Sequence, residues 1–439
     1  MAADKRLLEL PAPIMRDRLA SGAMRSTEIA EAVIARVEAQ NAGAGVLAWF
    51  DAGFVRRQAE ALDLFRGRGL ALGPLHGVPV VIEDTIDVAR IPTENGTPAD
   101  KGRVPERDSA ISERLRAAGA LLVGKAAAPE LGVSAAEAGH GTAADGAPGA
   151  LAIAEGMAPL AVATQIAGFV ISGASDAGVT GFKPSFGSIS RRGTLRCVPS
   201  LETPGIFAAD VAGAAMLADV LAGYDAADPS TSMSPPPRLL DHARSQPPLT
   251  PTLAFVRTAW WDEIDAETQA AFSELTDRLA SRCFAADLPP VFADSALFCD
   301  RIVLAELAKC LSGYRARGAD LLSHDLRAAL ERGDAVTARE YLVALDWREV
   351  LYAGIEAVLE RCDAIITPAS TAADTQGASA GFNRLWSLLG VPCMSLPLMT
   401  GADGRPIGVQ MVGRRGDDGR LLRCAHWLET FVSENGEKL

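Results

Sequence analysis

From Ser26 through Val37 the apolar residues Ile29, Ala30, Val33, Ile34 and Val37 recur at three- and four-residue intervals, with Ser26 or Thr27 as a capping candidate. That spacing predicts an amphipathic helix. A second such pattern runs from about Ala52 to Arg66, and the glycine-rich stretch after it leads into Val78-Pro-Val-Val-Ile82, a short β-branched run that predicts a buried strand. Residues 109–118, with Ser109, Ile111 and Leu115, read as a helix that passes through Gly119 into an apolar strand at Ala120–Val123. Strand, helix and strand in succession are the grammar of an α/β protein.

Farther on, residues 135–187 are dominated by Gly, Ala, Ser and Thr, whose small side chains let backbone approach backbone or ligand closely, so a site is expected there. Residues 225–252 are rich in Pro and Ser and break every periodic pattern, which predicts an exposed connection. From Glu267 to about Arg361 the periodicity is mainly helical; Ala364–Pro368, Cys393–Pro397 and Val409–Val412 are strand-like again. The expected organisation is an N-terminal helical segment (1–70), a helix-rich insertion (253–362) and C-terminal strands with a helix (363–439) that rejoin the first sheet.

With 439 residues, 49% of them hydrophobic, the chain can bury a large core, and its net charge of −13 opposes attraction to a nucleic-acid backbone or an anionic membrane. The seven cysteines (Cys197, Cys283, Cys299, Cys310, Cys362, Cys393 and Cys424) are scattered without a CxxC pair, so neither a disulfide framework nor a zinc site is expected. Reduced thiols and a charged N-terminus without an apolar core point to a cytoplasmic protein with no membrane anchor. No cofactor or metal is expected.

Gly73-Pro-Leu-His-Gly-Val-Pro-Val80, Gly119-Ala-Leu-Leu-Val-Gly-Lys125, Gly181-Phe-Lys-Pro-Ser-Phe-Gly187, Ser190-Arg-Arg-Gly193, Asp363-Ala-Ile-Ile-Thr-Pro368 and Ile407-Gly-Val-Gln-Met-Val-Gly413, in this order, resemble the amidase signature family. The resemblance implies one large α/β/α domain over residues 1–439, with a mixed, mostly parallel sheet flanked by helices and a site at the sheet edge. It also implies amide hydrolysis by a serine nucleophile, a bridging serine and a neutral lysine base. The lysine position falls on Glu83 within Gly77-Val-Pro-Val-Val-Ile-Glu83-Asp84. Gly156-Met-Ala-Pro-Leu160 and Gly181-Phe-Lys-Pro184 bracket Thr164-Gln-Ile-Ala-Gly-Phe169, which places the nucleophile position at Phe169. Counting back from Gly156 puts the bridging position at Asp145, in a loop shorter than the family's.

Phenylalanine has no lone pair or labile proton, glutamate inverts the charge of the lysine, and an ionised aspartate only accepts hydrogen bonds. The turn that supplies the family's oxyanion N–H groups reads Gln165, Ile166, Ala167, Gly168, and an alanine held at positive φ would cost on the order of 1–2 kcal/mol. Two further positions, an arginine and a proline in the family, are Ile171 and Gly173. These changes lead to the expectation of an inactive scaffold, retained as a non-catalytic partner subunit or small-ligand binder. One alternative is different acid–base chemistry on a small polar substrate through Glu83, Asp84 or Asp145. Another is residual hydrolysis through a displaced nucleophile such as Ser172 or Ser175. Phe169 is expected to fill the vacated pocket, and Glu83 to pair with an arginine such as Arg191 or to be solvated. His140 is a loop histidine near the cleft, His76 has a structural role, and Arg191 and Arg192 pack at the sheet edge. The expected partners are a second protein or a second copy of the chain, and a small polar ligand, with no nucleic acid and no membrane.

Overall fold

Every residue of Pro79–Glu83 and of Leu160–Gln165 is buried, without the in-out alternation of a half-solvated strand. Such runs need cover on both faces, and helices provide it. A computed structural model defines the fold, and the residues described are 7–134, 147–370 and 378–434. Asp145 and His140 lie outside them.

The strands are β1 (Leu47–Phe50), β2 (Pro79–Glu83), β3 (Leu121–Ala126), β4 (Leu160–Gln165), β5 (Thr180–Lys183), β6 (Thr203–Ala208), β7 (Leu253–Arg257), β8 (Cys283–Asp287), β9 (Ala364–Pro368), β10 (Cys393–Thr400) and β11 (Pro406–Val412). They form one sheet in the order β1-β3-β2-β4-β6-β5-β10-β11-β9-β7-β8. The sheet is mixed, as the resemblance implied, but it is not mostly parallel. Parallel pairing is confined to β2 with β3 and β4 and to β7 with β8 and β9, while the other six pairs are antiparallel. The physical reason lies in the connections. β10 and β11 are a hairpin, and a short return cannot give parallel neighbours.

The predicted helices form as Ser26–Ala44, Ala52–Gly67 and Ala110–Ala117. Ser109 caps the last of these, accepting from Ser112 N. The first is capped differently from the sequence expectation, because Ser26 and Thr27 already lie inside it. The Asp63 carboxylate, brought in by the neighbouring helix, accepts from Ser26 N (2.7 Å) and Thr27 N (3.1 Å). A side chain remote in sequence can satisfy orphan N–H groups as well as a local one.

Residues 225–252 hold a short helix, Leu239–Arg244, and are tied down at buried Asp228, which pairs with Arg191. Residues 253–362 contribute β7 and β8 as well as helices, so they extend the sheet rather than sit apart from it. Among the described residues no helix is long and apolar enough to cross a membrane. None of their His, Cys, Asp or Glu side chains form a group of three placed to hold a metal ion.

Candidate functional site

β2 and β4 run parallel, so their C-terminal ends bring Glu83 beside Thr164 and Gln165. Glu83 is 2% exposed. Its carboxylate accepts from Thr164 Oγ1 (2.9 Å), from Thr164 N (3.3 Å) and from Thr85 Oγ1. Burial of a carboxylate is costly unless hydrogen bonds replace water, and these threonines supply them. Arg191 is not its counterion. That guanidinium is spent on Asp228 (3.3 Å) and on Pro199 O (2.6 Å), while Arg192 pairs with Asp225 and Glu113.

The neighbouring Asp84 accepts from Glu94 N (3.0 Å) and lies 3.4 Å from Lys125 Nζ. Lys125, on β3, is only 1% exposed and donates to Ile86 O (2.7 Å) and Thr93 Oγ1 (2.9 Å). Burial pushes its pKa down to about 8 against the opposing pull of Asp84, and burial likewise raises Asp84 against the pull of Lys125. Desolvation therefore outweighs the pairing on both sides. A further carboxylate, Glu202, accepts from Cys197 N (3.1 Å) and is pushed up to about 7 by burial.

The turn after β4 leads into the helix Phe169–Ala177. Its N-cap is Gly168, which has no side chain to cap with, at φ 154° and ψ −10°. Gln165 caps instead: Oε1 accepts from Val170 N (2.9 Å) and Ile171 N (3.2 Å), and Nε2 donates to Ser387 Oγ (3.1 Å). The amides of the helix N-terminus are thus occupied from within the turn. Ala167 avoids the cost of a positive φ, because its φ is negative and the unusual conformation falls on Gly168. Glycine is required there, since a Cβ would come within 2.6 Å of Asn383 Cβ.

Phe169 is the first residue of this helix, half-buried, with its ring against the main core. Ser172 Oγ donates to Gly168 O (3.0 Å). Ser175 is buried farther along the helix and accepts from Ser370 Oγ (2.8 Å) and Gly408 N (3.0 Å). The structure brings Glu83, Asp84 and Gln165 together near the start of the Phe169 helix, while His76 precedes β2 and lies toward its opposite end.

Behind this centre is a cavity of about 570 Å³ with Ser185, Ser200, Arg348, Leu389 and Arg415 in its lining. Glu83, Asp84 and Gln165 are not in its lining; the link to the centre is Leu388, next in the chain to Ser387, the partner of Gln165. Arg348 Nη2 donates to Ser200 O (3.2 Å), and Arg415 donates to Leu389 O (2.6 Å) and pairs with Glu349 (2.8 Å). Arg348 Nε and Arg415 Nη2 are shielded from solvent and find no hydrogen-bond partner among the described residues. Burial first, and then the charge of Arg415, lowers the pKa of Arg348. Two guanidiniums in the lining of one cavity suit an anionic ligand. Sequence reading did not reach these arginines, which sit on a long helix and in a loop with no local motif around them. Thr164 and Lys125 did lie inside recognised segments, but nothing in the sequence alone shows that β2 brings both to Glu83.

A family model described as Amidase matches residues 28–142 and 148–422. Over 95% of its length the chain is 28% identical to 95% of a glutamyl-tRNA(Gln) amidotransferase subunit from Symbiobacterium thermophilum. It is 32% identical to the corresponding protein of Streptomyces coelicolor over 54% of this chain and 51% of that one. Among solved structures, a crystal structure of an amidase matches 96% of this chain and 99% of its own, with TM-score 0.82 and 26% identity. A chain from an unexpected vestigial protein complex, reported to reveal the evolutionary origins of an s-triazine catabolic enzyme, shares the fold with TM-score 0.87 at 23% identity, covering 98% of this chain and 100% of that one. These relatives correct the expectation of an inactive, retained scaffold. The full-length likeness is to subunits of an amide-transferring enzyme, and nothing in the structure shows the chain to be inactive. With the match extending over nearly the whole sequence, the chain belongs to the amidase family.

Proposed function

We propose that the chain is an amide-processing subunit of a multi-chain enzyme and that its substrate is a small amide bearing a carboxylate. The observation that carries this reading is the pair Arg348 and Arg415 in the lining of one cavity, beside Leu388, the chain neighbour of Ser387 to which Gln165 donates. A planar carboxylate fits a guanidinium fork, and two guanidiniums in one lining favour such an anion. The relatives' names support the first half of the proposal, since they describe an amidotransferase and one of its subunits; the carboxylate rests on the two guanidiniums alone.

Glu83, Asp145 and Phe169 enter this reading as the residues at the base, bridge and nucleophile positions. Phe169 carries no atom able to form an acyl intermediate, so water adds to the amide carbonyl and the nitrogen leaves as ammonia. The test is ammonia release from glutamine, asparagine and the neutral butyramide, using both the isolated chain and the material that co-purifies with it. Release from the carboxylate-bearing amides, with KM raised about tenfold or more in Arg348→Gln, is the expected result. No release from either preparation, or equal turnover of butyramide, defeats the proposal.

A further inference from the structure

At the other end of β2 from Glu83, a second cavity of about 410 Å³ opens between the Ala52–Gly67 helix and the junction of the Ala110–Ala117 helix with β3. Its wall is apolar, with Leu62, Phe65, Ala117 and Ala120, and its polar groups include His76 and Arg116. The volume suits a small molecule, and an apolar wall with few convergent polar groups is the usual make-up of a ligand site. His76 is 1% exposed, yet its Nε2 has no hydrogen-bond partner among the described residues. Leaving a buried imidazole nitrogen unpaired is unfavourable, and a ligand atom would supply the missing partner.

We propose that this cavity is a second ligand site, distinct from the amidase centre, for a small carboxylic acid with an apolar body. The charges around His76 favour an anionic head group. Arg66 and Arg16 both act on the imidazole, and Arg116 lines the cavity. Against them stand Asp63, already accepting from Ser26 and Thr27, and Asp108, paired with Arg116 at 3.0 Å. Burial and then the Arg66 charge hold His76 below its ordinary pKa, and the tautomer with its proton on Nε2 is the one that donates to a carboxylate oxygen. Phe65, 42% exposed, lies beside the imidazole with 6.4 Å between ring centroids, and in the liganded form it turns aside to admit the head group to Nε2.

The test uses benzoate as the probe and benzamide as its neutral counterpart, followed by calorimetry and by the histidine ring signals in NMR. His76→Gln assigns the His76 resonances. Saturable binding at or below ~10 mM that moves those signals is expected, with affinity lowered about tenfold for benzamide, for Arg116→Gln and for Ala61→Trp. Ala61 is exposed at the cavity wall, so tryptophan there blocks the mouth without entering the core. Arg348→Gln leaves the benzoate response of the His76 signals unchanged, which separates this site from the Arg348–Arg415 cavity. The proposal falls if His76 does not respond, if benzamide binds as well as benzoate, or if Ala61→Trp has no effect. It also falls if Ala61→Trp releases a co-purifying chain while benzoate fails to bind, because the face then belongs to a protein interface.

Discussion

Replacing Gln165 by alanine removes one side chain that makes three hydrogen bonds, all in a buried setting. Two helix amides, Val170 N and Ile171 N, lose their acceptor. A buried donor left unpaired costs about 1–3 kcal/mol, and a water admitted to the new space returns part of that. The expected net loss is about 3 kcal/mol, read as a lower midpoint in equilibrium urea unfolding with little change in slope. Gln165→Glu keeps an acceptor at a helix N-terminus and is expected to lose about half as much at neutral pH. Because the alanine variant exposes two converging N–H groups, formate or acetate is expected to raise its stability and leave the parent unaffected. An alanine variant within ~0.5 kcal/mol of the parent would refute the reasoning, since the amides would then have another partner.

Other consequences concern the buried charges. Glu202 keeps its proton to about 7 when folded but ionises near 4.5 when unfolded, so stability is expected to fall as pH rises through that window. The fall is of the order of 3 kcal/mol, and unfolding at pH 5 and pH 8 is expected to show it in the parent but not in Glu202→Gln. Lys125→Met leaves Asp84 buried without its cation and is expected to cost about 3–5 kcal/mol. Adding Asp84→Asn recovers part of that; an additive double-mutant cycle would argue against coupling between the two. At Asp228 burial works against ionisation, but hydrogen bonds from Arg191 and Ser230 prevail and hold the carboxyl well below its ordinary 3.8. Asp228→Asn is therefore expected to be less stable at pH 7, with the gap closing as pH drops below about 4, and a constant gap across pH would count against the pairing.

The strands and helices of the first third were legible because their apolar spacing and glycine boundaries are local signals. Ser26 shows the limit: the sequence suggested a cap from its own hydroxyl, whereas the acceptor comes from Asp63 on a neighbouring helix. The sense of the strands was less legible, since pairing depends on which distant segment returns beside which. At the site, Glu83 was located by its register within a glycine and proline frame. Its partners Thr164 and Thr85 and the buried Lys125 became visible only once β2, β3 and β4 were side by side. That the turn at Ala167 places its positive φ on Gly168 was not legible, because the neighbour that crowds this turn, Asn383, lies more than two hundred residues away.

The order of strands also governs when the molecule can complete itself. β1 to β6 form one contiguous part of the sheet and β7 to β9 another, and among the described residues the strands between them are β10 and β11, made from residues 393–412. During synthesis both parts emerge before the hairpin that joins them, leaving the edges of β5 and β9 unpaired until nearly the whole chain is available. Those two edges are the places where a prematurely ended chain would capture a strand from another molecule.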